Sequence, residues 1–388
     1  MRKVIAAGHI CLDITPVFPQ GHVCASLEEL LVPGKLIRTE GVSVHTGGSV
    51  ANTGLALKLL GNDVILMGKV GRDAFGDMVR GILAGYGAGG LIVDGKDSTS
   101  YSVVLAPPGF DRIFLHSPGA NDTFSSEDVP EEDLEDAVLF HFGYPPLMKR
   151  MVEAEGAELE GMFRRVKAKG IVTSLDLAAV DPRSPAGNAD WEAILRRVLK
   201  HVDFFEPSFE ELCFMLDRPE WERLASAGTD MTQAPEVTEK ADTLARRCLE
   251  MGCGVVLVKC GLSGMVYRTG SAQRLGRTGS RVGLDVKVWA QKAGHQPCFR
   301  AEYVRSGTGA GDVSIAAFLT ALLQGEAPEE CVRLAAAEGA ASVTSYDALG
   351  GILPLEELRR RIRAGWKTYG RAEGTPVFQN IPADVKKF

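Results

Sequence analysis

Apolar positions along this chain fall into short continuous runs separated by longer amphipathic stretches. Lys3-Val4-Ile5-Ala6-Ala7, stopped by Gly8, reads as a first buried strand. Residues 51–60 read as a helix: Leu55, Ala56, Leu59 and Leu60 share one face and Gly61 ends it. A buried strand follows at 64–68, a helix at 77–83 and a strand at 91–93. The alternation resumes after Gly119, with strands at 138–140, 171–175, 202–205 and 255–258 and helices at 158–169, 191–199 and 238–251. Residues 262–305 read as strands with polar loops, and 313–323 as a nearly all-apolar, buried helix. Helices at 328–344 and 354–366 close the pattern. Strand–helix alternation of this kind predicts βαβ units: an α/β fold, here a three-layer αβα domain with a mostly parallel sheet.

Two stretches break the alternation. Residues 14–45 are punctuated by Pro16, Pro19 and Pro33 and show no helical period, although 36–44 has strand character. Residues 100–116 hold two β-rich runs around Pro107, Pro108, Gly109 and Asp111, which reads as a hairpin. The expected division is a large domain from residues 1–13, 46–99 and 117–388, and a small β lid from 14–45 and 100–116. Residues 218–236 read as a surface insertion.

Composition narrows the class. With 388 residues, 45% hydrophobic and 24% charged, the chain has the balance of a soluble globular protein. A net charge of −7 without blocks of like charge argues against nucleic acid as a partner. No apolar run reaches the roughly 18 residues of a membrane span, and the first residues lack the pattern of a signal peptide. Eight scattered cysteines without a C-x-x-C pair fit reduced thiols and a cytoplasmic location.

Two glycine-rich strings carry candidate chemistry. Gly307-Thr308-Gly309-Ala310-Gly311-Asp312 stands immediately before the apolar helix. Small residues there let main-chain N–H groups converge at the positive end of the helix dipole, which suits an anion. Asp312 at its edge is a candidate general base. An ordinary strand–turn–helix corner with Asp312 as a cap is the alternative. Thr46-Gly47-Gly48-Ser49-Val50-Ala51-Asn52 also precedes a helix. Its paired glycines permit close approach of a ligand, and the Asn52 amide both donates and accepts, as a sugar hydroxyl requires. A tight turn capped by Asn52 is the alternative here. The G-x-G-x-x-G match at Gly85–Gly90 follows a helix and precedes a strand, the reverse of a dinucleotide site. The seven histidines show no metal-binding spacing, and no G-x-x-x-x-G-K-[ST] P-loop is present.

In this order and at this separation, the two strings resemble the two signatures of the ribokinase-like family of carbohydrate and nucleoside kinases. The run from Gly8 to Asp13 is similar to the family's first strand, ending in a substrate-binding Asp. The run from Gly68 to Gly76 is similar to its G-x-V-G-x-D-x-x-G, that from His116 to Asn121 to its segment returning from the lid, and that from Val258 to Gly264 to its nucleotide-side strand and turn. The resemblance implies an ATP-dependent kinase with Asp312 as base and the amides of Gly309, Ala310, Gly311 and Asp312 as an anion hole. It places a sugar-like acceptor at Asp13, Gly47, Gly48 and Asn52, and the nucleotide at Lys259, Gly261, Gly264 and Thr308. Arg112, in the lid hairpin, could reach over the acceptor and would favour an anionic one. Glu211 falls where the family has the last residue of P-N-x-x-E and would organise Mg²⁺ through water. A helix-start carboxylate is the plain alternative for it. Ser306 and Gly307 replace the Asp and Thr that usually open the second signature, which leaves monovalent-cation activation open. A lid with one apolar face cannot bury it alone, so it would cover the acceptor or pair with a second lid in a homodimer. A ligand-binding protein on the same fold, with weak or no catalysis, is the rival reading.

Overall fold

The computed structural model describes residues 2–19, 26–107, 113–227, 230–345 and 347–369. Its strands, in chain order, are β1 (Lys3–Gly8), β2 (Cys11–Val17), β3 (Gly41–Gly47), β4 (Asp63–Met67), β5 (Lys69–Gly71), β6 (Ile92–Asp94), β7 (Tyr101–Leu105), β8 (Ile113–Ser117), β9 (Ala137–Gly143), β10 (Val172–Leu175), β11 (Phe204–Phe205), β12 (Val255–Lys259), β13 (Met265–Thr269) and β14 (Ala293–Gln296).

Eight of them form one sheet in the order β14-β13-β12-β11-β10-β9-β1-β4. Every pairing from β4 to β12 is parallel, and β13 and β14 are added antiparallel. The sheet is mostly parallel because amphipathic helices connect its strands and cover both faces. Helices Lys149–Ala168, Trp191–Val198, Phe209–Leu216 and Val237–Glu250 bury one face, with Phe140, Phe142, Phe163 and Phe205 at the centre of that layer. Helices Ala310–Leu323, Pro328–Ser342 and Leu355–Arg363 cover the other around Phe204, Phe318 and Trp289. Helix Ala310–Leu323 is buried at every position from Asp312 to Leu323, which explains why its sequence has no polar stripe.

Four strands form a separate small sheet in the order β3-β2-β7-β8. It includes Cys11–Asp13 and Thr46–Gly47, which the sequence reading assigned to the large body. The cause is local. β1 ends at Gly8, whose φ of 125° is open to glycine alone, and a Cβ there would overlap the Gly143 backbone. The Asn121 side chain then clamps Ile10, accepting from its N–H at 3.1 Å and donating to its carbonyl at 2.9 Å. The chain leaves the large sheet at His9 and re-enters pairing as β2, with Asp13 opposite His45 of β3 and Ser102 of β7. Asp13 therefore lies within a small-sheet strand, not at the end of the first strand.

Other expectations shift for similar reasons. The strand around 91–93 does not join the large sheet: among the described residues β6 pairs in parallel with β5 alone. Residues 262–305 hold two strands and two short helices, Ala272–Leu275 and Val286–Trp289. The stretch 218–236 is not a simple surface insertion. Helix Arg218–Ala225 buries Leu224, and Trp221 and Met231 pack on the core.

Candidate active site

The site is built at the carboxyl edge of the large sheet, where successive parallel strands each deliver a polar residue. β1 leads to His9, β9 to Tyr144, β10 to Asp176, β11 to Glu206 and β12 ends on Lys259. Two helices aim their starts at the same edge. One is Ser49–Leu59, whose N-cap is Gly48, and the other is Ala310–Leu323, whose N-cap is Gly309. Asn52 is thus one turn inside its helix and is not a cap.

Both glycine caps use left-handed backbone. Gly48 has φ 86°, and a Cβ there would lie 2.5 Å from the His9 carbonyl oxygen and 2.6 Å from its ring Nδ1. Gly309 has φ 73°, and a Cβ would overlap Ala348. Larger residues are excluded by strain and by space together. Ser306 holds the turn before Gly309: its hydroxyl accepts from the Thr308 N–H at 3.1 Å and bonds the Thr308 hydroxyl at 3.0 Å.

Asp312 sits in the first turn of its helix, 4% exposed. Three side chains donate to it: Asn52 Nδ2 at 3.1 Å, Thr53 Oγ1 at 3.0 Å and Tyr144 OH at 2.8 and 3.0 Å to the two oxygens. Burial pushes this carboxyl above the usual range, opposed by the Tyr144 hydroxyl, the Lys259 charge and the Asn52 and Thr53 donors. Lys259 Nζ donates to Asp176 at 2.6 Å in a buried, charge-assisted pair. Burial alone would lower the Lys259 pKa, but the Asp176, Glu211 and Asp312 carboxylates outweigh it and hold the ammonium charged. A Cβ on Gly311 would come within 3.7 Å of Lys259 Nζ, so that cation lies beside the Gly309–Asp312 amides. Amides at a helix start and a buried ammonium together favour an anion.

On one side of this nest lies a cavity of about 240 Å³. Gly261, Gly264, Gly307, Ala310 and Gly311 line it together with Phe299, Val304, Ala336, Ala340, Val343 and Tyr369. Gly261 and Gly264, with φ 52° and 88°, let the loop after β12 fold against Thr232 and Gln296. Asp230 and Thr232 also line the cavity, so the stretch read as an insertion contributes to the site.

On the other side stand Asp13, Gly47, Gly48, His9 and His116. A Cβ on Gly47 would overlap the Asp13 carboxyl, so glycine is required there. Burial raises the Asp13 pKa, opposed by donation from Cys11, at 3.3 Å, and from Ser102. His9 is 1% exposed, its pKa pushed down to about 3 by burial and the nearby His116, and among the described residues neither ring nitrogen has a hydrogen-bond partner. Its ring lies 5.1 Å from that of His116 and 6.1 Å from that of Tyr144.

Glu211 is held by a capping box: it accepts from the Ser208 N–H at 2.7 Å while Ser208 Oγ accepts from the Glu211 N–H at 3.2 Å. Among the described residues no group of three or more His, Cys, Asp or Glu could cage a metal. Arg112 lies outside the described residues. No motif in the sequence marks Tyr144, Thr53, His9 or Asp176. Tyr144, His9 and Asp176 stand just past predicted strands, the one signal that could have found them.

The model of the pfkB family carbohydrate kinases matches residues 21–354. The chain belongs to this family. Among its curated relatives, a ribokinase of Arabidopsis thaliana is 23% identical over 332 residues, covering 84% of this chain and 74% of that protein. An uncharacterized sugar kinase of Archaeoglobus fulgidus is 26% identical over 307 residues, covering 77% and 98%. Solved structures with the same fold include the Thermotoga maritima ribokinase (TM-score 0.64, 18% identity, 94% of this chain and 100% of that one). The Arabidopsis ribokinase solved with ribose and ATP has a TM-score of 0.67 at 20% identity, covering 93% and 98%. Membership makes this carbohydrate kinase family the frame for the site. No helix among the described residues is long and apolar enough to cross a membrane.

Proposed function

We propose that this pfkB family member transfers the γ-phosphoryl group of ATP to a hydroxyl of a sugar-like acceptor, with Asp312 as general base. The observation that carries this reading is the place of Asp312. A buried carboxylate stands between a mostly apolar cavity lined by Gly261, Gly264 and Gly311 and a polar group built from Asp13, His9 and His116. The cavity suits a nucleotide base, and the ribokinase and fructokinase relatives solved with ATP support that use.

In this mechanism the chain's residues position and neutralise. The amides of Gly309, Ala310, Gly311 and Asp312, with Lys259 beside them, hold the transferring group. Asp312 takes the proton of the attacking hydroxyl. Asp13 accepts hydrogen bonds from two acceptor hydroxyls, and the neutral His9 ring offers one donor and one acceptor, which suits a polyol. Gly47 and Gly48 let it approach the backbone. Thr308, expected beside the nucleotide, is not among the residues lining the cavity and bonds Ser306 instead. Glu211, with an oxygen beyond its cap bond, would hold a water of Mg²⁺, which supplies charge screening of the phosphates. The small sheet β3-β2-β7-β8 carries Asp13 and serves as the lid, and pairing of two lids would make the homodimer.

The test is ADP release from Mg-ATP across a panel of sugars, sugar acids and nucleosides. Asp312→Asn should cut turnover by roughly 10²–10⁴-fold in a folded protein. Asp13→Ala should weaken the acceptor and spare ATP. Turnover near wild type in Asp312→Asn removes Asp312 as the base. Loss of ATP instead of acceptor in Asp13→Ala means that the two ends of the site are assigned backwards.

A further inference from the structure

Tyr144 adopts φ 66°, a left-handed conformation uncommon for a bulky residue, directly after β9. Such strain persists where the surroundings over-determine it, and it clusters at functional sites. Gly143 before it and Pro145-Pro146 after it fix the turn. The result is specific: the hydroxyl lies 3.0 and 2.8 Å from the two oxygens of Asp312. Asn52 and Thr53 each bond one of those oxygens as well. A carboxylate offers about four lone-pair directions. Asn52, Thr53 and the shared Tyr144 proton make four contacts in these directions, so an attacking hydroxyl has to displace one of them.

We propose that Tyr144 is a positioning residue that shares its one hydroxyl proton between both oxygens of Asp312, keeps water off the base, and withdraws from one oxygen when an acceptor hydroxyl binds there. This rests on the reading of Asp312 as base. In productive transfer the acceptor O–H bond breaks and its proton passes to Asp312. A bond then forms between that oxygen and the γ-phosphorus, and the bond from phosphorus to the bridging oxygen breaks to release ADP. With water in the acceptor's place the same accounting gives ADP and inorganic phosphate, a wasteful reaction that Asp312 would assist equally well. A phenol fixed across the carboxylate withholds the base from a small, mobile water. A bound acceptor, held at Asp13 and His9, has the binding energy to displace one bond.

The main readout needs no acceptor. ADP release from Mg-ATP alone is compared among wild type, Tyr144→Phe, Asp312→Asn and the double variant. Phe keeps the ring and pays the same backbone strain, so Tyr144→Phe should fold, and its melting temperature checks this. Acceptor-free ADP release should rise roughly tenfold in Tyr144→Phe, the scale of one hydrogen bond to a charged group. It should fall back in the double variant. A second readout is the pH profile of that release. Removing the hydroxyl takes away a bond that favours the ionised carboxylate, so the acid limb should move to higher pH. Lys259, Asp176 and Glu211 face the same group and remain unchanged, as does the His9 ring 6.1 Å from Tyr144.

Acceptor-free release and pH profile equal to wild type, in a protein that still phosphorylates an acceptor, would overturn the role of Tyr144 and leave the kinase reading standing. A rise that persists in the double variant would also overturn it, because the added hydrolysis would then bypass Asp312. Wild type that releases no ADP with any acceptor of the panel would sink the kinase reading and this proposal together.

Discussion

Asn52 Nδ2 donates to Asp312 Oδ2 at 3.1 Å, joining two residues that lie 260 positions apart. The bond links the first turns of two buried helices and so ties the two glycine-rich strings into one site. The sequence reading gave Asn52 to the acceptor. The structure directs its amide at the buried carboxylate.

Asn52→Asp should therefore act on the base. A second carboxylate at this distance disfavours ionisation of the pair, so one pKa rises. The acid limb of kcat/KM should move up by about one unit or more, while Asn52→Ala, which only removes a donor, should move it less. A profile that is identical in Asn52→Asp and wild type would separate Asn52 from Asp312.

Glu211 carries two roles that substitution can split. Glu211→Ala loses the reciprocal cap with Ser208 and should cost about 1 kcal/mol in urea unfolding. Glu211→Gln can keep the cap but removes the charge. A raised Mg²⁺ requirement in Glu211→Gln, at near-wild-type stability, is the expected result. An unchanged Mg²⁺ curve in that variant leaves Glu211 as a cap alone.

Glu206 is fully buried beneath the site and accepts from Ser174 Oγ at 3.0 and 3.2 Å, while Ser174 Oγ is bonded in turn to His141 Nδ1 at 2.7 Å. Burial, aided by Asp176, pushes its pKa from 4.5 up to about 8. The folded chain thus binds this proton more tightly than the unfolded one. The stabilisation is fully present below 4.5 and is lost as pH rises toward 8. Glu206→Gln, which stays neutral, should remove that loss, on the order of a few kcal/mol. Melting temperatures at pH 5 to 9 (roughly the window set by that shift) should converge with wild type at the acid end and diverge above it. Parallel curves would refute the shift.

Ala340 lies on the wall of the 240 Å³ cavity, 4% exposed. Ala340→Leu should fill part of that space and raise KM for ATP roughly tenfold, near the scale of a misplaced core methylene or two. The KM for the acceptor should stay close to wild type. An effect on the acceptor alone would place the nucleotide elsewhere.

The sequence by itself determined most of the strand–helix alternation, because period and glycine punctuation are local properties of the chain, but it did not announce helices Phe209–Leu216, Arg218–Ala225, Ala272–Leu275 and Val286–Trp289. It also made both helix starts legible, since only glycine tolerates the backbone of Gly48 and Gly309. The nearly all-apolar run at 313–323 announced a buried helix, and helix Ala310–Leu323 is that helix. Tertiary structure alone decided which polar groups meet. Asp13 moved from the first strand into the small sheet because Gly8 packs on Gly143 and Asn121 clamps Ile10. β6 left the large sheet for β5, a pairing choice that no local pattern encodes. Tyr144 reached Asp312 across 168 positions, and Lys259 reached Asp176 across 83. Such contacts follow from the register of parallel strands, whose carboxyl ends converge only once the sheet has formed.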